Sequence, residues 1–196
     1  MSNSKLDVSS SIWESFFSVF PLVLVGSREP DGSYDLAPKH LAIPASWQNH
    51  YAFVCAPHHR TYINIREHQQ FTVSYPKPTQ IVLTSLAADP RADDQTKPAL
   101  KVLPQFKADT VDGVFVKDAY LFLECKLEKI VDDLGGNSLI IGEIVDAQVD
   151  DDFLRLTELD DQQLIHSSPL LAYLYPGRFA KIDQSFSFPF PKDFKR

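Results

Sequence analysis

The chain has 196 residues, 44% hydrophobic and 23% charged, which suits a globular chain with a sizeable core and excludes a disordered one. Its formal charge of −7, with no basic cluster, speaks against a nucleic-acid backbone as partner. Cys55 and Cys125 stand too far apart in sequence to suggest a disulfide framework, and the longest apolar run, VFPLVLVG, is too short to span a bilayer.

The N-terminal segment has no basic stretch followed by a sustained apolar run, so a soluble, cytoplasmic protein is expected. Residues 9–11, all serine, are expected to cap a short amphipathic helix through IWESFFSVF, which Pro21 stops. PLVLVGSRE reads as a buried strand. PDGS, Pro30 to Ser33, is a hairpin signal in which Gly32 takes positive φ. YDLAPKHLAIPAS follows as an interrupted strand whose Pro38 and Pro44 suit an edge. YAFVCAP and FTVSYP are further strands. QIVLTSLAAD reads as helical, and the polar, proline-broken stretch from Asp89 to Asp112 as a surface excursion.

Two clear strands come next. In YLFLECKLEKIV, Leu121, Leu123, Cys125 and Leu127 alternate with Phe122, Glu124, Lys126 and Glu128, which puts Cys125 on an apolar face as an inert thiol. In SLIIGEIVDAQV, Leu139, Ile141, Val145, Ala147 and Val149 share one parity and are expected inside. DDLGGN supplies the turn between them. The tail SFSFPFPKDFKR carries four phenylalanines, expected to pack on the body or on a second subunit. Roughly six short strands with hairpin turns predict a mainly β fold, an antiparallel barrel with helical decoration, as one domain over residues 1–196.

Few residues announce chemistry. Cys55, His58 and His59 form C-x-x-H-H, a donor set that suits zinc, but no fourth ligand stands nearby. A strand cysteine followed by an exposed turn has the same letters. There is no G-x-S-x-G elbow and no dinucleotide or Walker loop; Gly135–Gly136 is a lone pair in a turn. The carboxylate runs Asp93–Asp94, Asp150–Asp152 and Asp160–Asp161 read as solvated loops. The stretch HHRTYIN is more informative. Thr61 suits an N-cap, with Tyr62, Ile63 and Ile65 opening an apolar pattern behind it. A helix starting there offers free amides beside Arg60 and His59, a ready phosphate site. An ordinary capped helix with a surface arginine is the alternative.

The succession PLVLVGSREPDGSYDLAPKHLAIPASW, YAFVCAPHHRTYINIREHQQFTVSYP, YLFLECKLEKI and NSLIIGEIVDA resembles the flavin reductase-like family, with T-Y-x-N-I its most specific piece. The resemblance runs from about Pro21 to Lys181. It implies an FMN-binding split β-barrel and a homodimer with the flavin, FMN or alternatively FAD, at the subunit interface. By this resemblance Lys39, His40, Ala45 and Ser46 line the isoalloxazine or ribityl chain. His59, Arg60 and Thr61 hold the phosphate, Asn64 braces that turn, and Arg178, in the G-R-F-A segment, reaches the cofactor or closes the dimer. His40 departs from the small hydroxyl residue common there, and residues 89–112 match no functional part of the family. The implied activity is NAD(P)H-dependent flavin reduction, with NADH or NADPH as reductant and no catalytic side chain or metal. The alternatives are an FMN-binding electron carrier serving an unidentified electron-accepting partner, and a non-flavin domain on the same scaffold.

Overall fold

The structure, a computed structural model, describes residues 2–93, 95–155 and 160–192. In chain order they form β1 (Ser18–Pro21), β2 (Val23–Arg28), β3 (Tyr34–Lys39), β4 (Ala42–Pro44), β5 (His50–Cys55), α1 (Arg60–His68), β6 (Gln70–Tyr75), α2 (Ile81–Leu86), β7 (Gln105–Lys107), β8 (Val114–Val116), β9 (Leu121–Leu134), β10 (Asn137–Val149), α3 (Asp161–Ser167), β11 (Leu170–Tyr175) and β12 (Arg178–Ile182).

Seven strands pair antiparallel in the order β3-β2-β6-β9-β10-β5-β4. The outermost two, β3 and β4, are separated in sequence only by His40 and Leu41. Six strand spacings of a flat sheet would put them about 29 Å apart. Three residue steps reach about 11 Å at most. The sheet must therefore curl into a barrel, and it stays split where no ladder joins β3 to β4. Pro38 and Pro44 lie on these edge strands, where a missing amide costs no ladder bond.

Inside the barrel Val23, Val25, Phe53, Phe71, Val73, Cys125 and Ile140 form the main core, with Tyr62 and Ile65 of α1 closing one end. Leu24 points the other way, into a second core with Leu36, Leu103, Val114 and Val116. This explains the unbroken apolar run of β2: the strand is covered on both faces.

The second core corrects the expectation for residues 89–112. That stretch and the β7–β8 ribbon after it form a cover whose apolar side chains are buried, fastened by buried polar groups of the barrel. Thr72 Oγ1 donates to Val114 O at 2.5 Å, and Ser74 Oγ accepts from Val116 N at 3.1 Å. The Glu124 carboxylate, 1% exposed, accepts from the amides of Asp109, Thr110 and Val111 at 2.9, 2.7 and 2.8 Å. Simple alternation placed Glu124 outside; three convergent amides are what let a carboxylate stand inside. Gly26 makes the close approach possible, since a Cβ there would lie 2.3 Å from Thr72 Oγ1 and 2.4 Å from Val114 O.

Other expectations change. The predicted N-terminal helix is only a 3-10 turn at Trp13–Ser15, because residues from Ser18 onward pair as β1 with β11 instead. The buried parity of β10 is Ser138, Ile140 and Gly142, not Leu139 and Ile141. Apolar residues occupy both parities there, and pairing with β5, which sets Ile140 opposite Phe53, decides between them. Asp150 and Asp160 cap local turns rather than merely facing water. Phe186 and Phe188 are 93% and 70% exposed, so they do not pack on the barrel. Phe194 of the tail and Asp94 of the paired carboxylates lie outside the described residues. The Pro30–Ser33 hairpin is as expected, with Gly32 at φ 85°. Among the described residues no helix is long and apolar enough to cross a membrane.

Two substitutions test the fastening of the cover. Gly26→Ala should destabilise the fold by about 1–3 kcal/mol through overpacking. Glu124→Gln, which turns an acceptor into a donor facing backbone amides, should cost about 1.5–3 kcal/mol. Urea unfolding midpoints measure both, and unchanged midpoints would show that the cover is not held as described.

Candidate functional site

Helix α1 begins one turn after β5. His59 N donates to Ala56 O at 3.0 Å, which starts the turn early and makes His59 the N-cap. Its carbonyl accepts from Tyr62 N at 3.0 Å and Ile63 N at 3.2 Å. Thr61, expected as the cap, is the second helical residue and is buried. The amides of Arg60 and Thr61 are the helix-start donors left for an outside acceptor. The T-Y-x-N-I block follows from packing. Tyr62 and Ile65 enter the core, Tyr62 Oη donates to Asp132 Oδ1 at 3.0 Å, and Asn64 Nδ2 donates to Ser27 Oγ at 3.0 Å. Asn64 therefore ties α1 to β2.

A cavity of about 610 Å³ opens at this helix start. Lys39, His59, Arg60 and Thr61 line it, as the sequence suggested. Arg91 and Lys97 line it too, and these the sequence did not indicate. Two buried carboxylates hold the cations in place. Glu29 takes Arg60 Nε at 3.3 Å and is also ion-paired with Arg91. Asp35 takes Arg91 Nη2 and Lys97 Nζ, each at 3.4 Å. Lys97 Nζ also donates to Leu36 O at 2.9 Å, and Arg91 Nη1 to Gln95 O at 2.7 Å. Four cations thus face two carboxylates, an excess that suits an anion of two charges. Arg60 gives Nε to Glu29 and keeps its terminal nitrogens for a ligand. Burial pushes the Lys97 amine down, against the opposing pull of Asp35.

A second cavity, about 370 Å³ and mostly apolar, adjoins the first across Pro38 and Ala88. His40, Tyr173, Arg178 and Phe179 are among its walls. The His40 ring stacks on Tyr175 at 5.4 Å and lies 5.0 Å from Tyr173 and 5.6 Å from Phe20. The seam between β3 and β4 thus puts Lys39 into the cationic cavity and His40 into the aromatic one.

The sequence-derived set is gathered only in part. Lys39, His59, Arg60 and Thr61 share one cavity; His40 and Arg178 share the next. Ala45 and Ser46 sit on an exposed loop and line neither, with Ser46 Oγ 2.9 Å from His50 Nδ1. Asn64 lies behind the helix start and lines neither. Cys55 and Cys125 are free and buried, and burial raises both thiols. Nothing local to Arg91 or Lys97 marks them, since their carboxylate partners stand 62 residues earlier in the chain.

Residues 18–176 match the flavin reductase like domain, and the chain belongs to that family. Among solved structures, the 2-nitrobenzoate 2-nitroreductase of Pseudomonas fluorescens is similar at 20% identity and TM-score 0.79, over 98% of this chain and 99% of that one. A candidate flavin reductase with a split barrel domain from Shewanella frigidimarina NCIMB 400 is similar at 18% identity and TM-score 0.77, over 88% and 87%. Flavoredoxin of Desulfovibrio vulgaris (Miyazaki F) is similar at 22% identity and TM-score 0.76, over 95% and 98%. These likenesses establish the split-barrel fold. No curated protein sequence matches the chain.

His40 gives a pH test of the seam. Burial, then the Lys39 charge, holds its imidazole below the ordinary histidine value. Folding thus favours neutral His40; its contribution is full above about pH 6.5 and is lost as pH falls through the lower folded value. In His40→Phe the drop in thermal midpoint between about pH 7 and pH 5 should be smaller than in the parent chain. An equal drop would show that His40 is not held neutral in the fold.

Proposed function

We propose that this member of the flavin reductase-like family binds a flavin nucleotide in the paired cavities and reduces it with NADH or NADPH in the cytoplasm. The observation that carries the reading is the helix start of α1, whose free amides sit in a cavity ringed by Arg60, Lys39, Arg91 and Lys97 and open at Pro38 to an aromatic one. Such a trough fits a ligand with a doubly charged phosphate at one end and a flat ring at the other. The names of the similar structures, a flavoredoxin and a candidate flavin reductase, support the same reading.

In this reading Arg60, Thr61 and His59 hold the FMN phosphate, with Lys39, Arg91 and Lys97 supplying the remaining positive charge. His40, Tyr173 and Arg178 line the ring end. When bound, the flavin supplies the hydride acceptance at N5, so no side chain of this protein is needed as acid or base. The chain's own contribution is placement. Apolar walls exclude water, and ion pairs with buried carboxylates keep the cations ordered before the ligand arrives.

The reading includes a homodimer. Trp47 is 101% exposed, and Ile43, Phe186 and Phe188 present further apolar surface to solvent. A second copy covering them would bring the loop of Ala45 and Ser46 to a shared site.

Arg60→Ala combined with Thr61→Ala should weaken FMN binding by roughly 1.5–3 kcal/mol, read by quenching of flavin fluorescence on titration. Unchanged affinity would remove the phosphate from this helix start. Oxidation of NADH or NADPH by the FMN-loaded chain distinguishes the reductase from an electron carrier: flavin that binds but is not reduced by either nucleotide assigns the carrier role.

A further inference from the structure

A third cavity, about 620 Å³, lies on the far side of the cation cluster. It shares Arg60, Arg91, Gln95 and Lys97 with the cationic cavity and no residue with the aromatic one. The three spaces are therefore in line: an apolar, aromatic-walled end, a cationic middle and a second large chamber beyond. An FMN-sized ligand with its ring at the aromatic end and its phosphate in the middle would leave the third chamber empty.

The third chamber has the character of a nucleoside site. Half-buried Tyr34 and Leu100 offer apolar wall for a base. Ser33 and Gln105 offer hydrogen-bonding groups for a base edge or ribose, and Lys101 and Asp31 balance one another at the rim. The cations that face both chambers are suited to two linked phosphates, one on each side. Tyr34 is fixed by its hydroxyl, which donates to Asp112 Oδ1 at 2.5 Å, so this wall is ordered without a ligand.

We propose that the third chamber takes the adenosine monophosphate half of a dinucleotide, with the diphosphate lying across Arg60, Arg91 and Lys97, so that the preferred flavin is FAD rather than FMN. This rests on the flavin reading above and deepens it. The adenylate of NADH has the same chemistry, and the in-line order of the chambers favours the flavin's own adenylate, because ring, phosphates and adenosine are then one continuous molecule.

The test is titration of the flavin-free chain, separately with FMN, FAD and NADH, in the parent and in two variants. Lys101→Glu places a negative charge at the rim of the third chamber on an exposed side chain. Leu100→Trp fills the chamber. The parent should bind FAD at least about tenfold more tightly than FMN, and each variant should erase that advantage while leaving FMN affinity within about twofold. Retained FMN binding also shows that each variant is folded. Equal binding of FMN and FAD by the parent, or a FAD advantage that survives Lys101→Glu, overturns the inference and leaves the flavin reading intact. Weakening of NADH alone by the variants moves the chamber to the reductant and overturns it as well. Binding of neither flavin overturns the flavin reading, and this inference with it.

Discussion

Two residues, His40 and Leu41, join the opposite edges of a seven-stranded sheet. That covalent link is far shorter than a flat sheet would need, so it forces the sheet to close, and it forbids a ladder at the seam. Much else is placed by it. The seam sets Lys39 and His40, adjacent in sequence, into two adjoining cavities of opposite character. Pro38, tolerated only because β3 is an edge, forms the threshold between them.

The second organising device is the cover over the outer face of β2 and β6. Hydroxyls of Thr72 and Ser74 and the carboxylate of Glu124 take the place of a strand ladder there. A buried carboxylate with three amide donors loses little relative to water, whereas the same carboxylate unpaired would be costly to bury. Because the cover is anchored, Arg91 and Lys97 can be held at the helix start of α1, where isolated cations would repel one another. Glu29 and Asp35 serve as internal counter-ions that space the cations and still leave positive charge over. The electrostatics of the site therefore depend on a segment that carries no recognisable motif.

Several features were legible in the letters. The D-G hairpin needed positive φ at Gly32, the edge prolines could not sit in a central ladder, and the T-Y-x-N-I block had to bury one helix face behind Arg60. The failures share a cause. SLIIGEIV is apolar at both parities, so only the pairing of β10 with β5 turned Ile140 inward and Leu139 outward. The stretch from Ser18 to Pro21 became a strand only because β11 supplied partners from the other end of the chain. Glu124 read as a solvent-facing residue because alternation alone ignores amides arriving from the cover.

The sequence by itself determined the mainly β class, the turns and the helix start with its arginine, because each rests on local backbone preference or on the period of burial. Tertiary structure alone decided which face of β10 is inside, which helix residue is the cap, and that Arg91 and Lys97 belong to the site. Those outcomes depend on contacts between residues distant in the chain, and a charge's partner or a strand's register is fixed by whatever the closed barrel brings beside it.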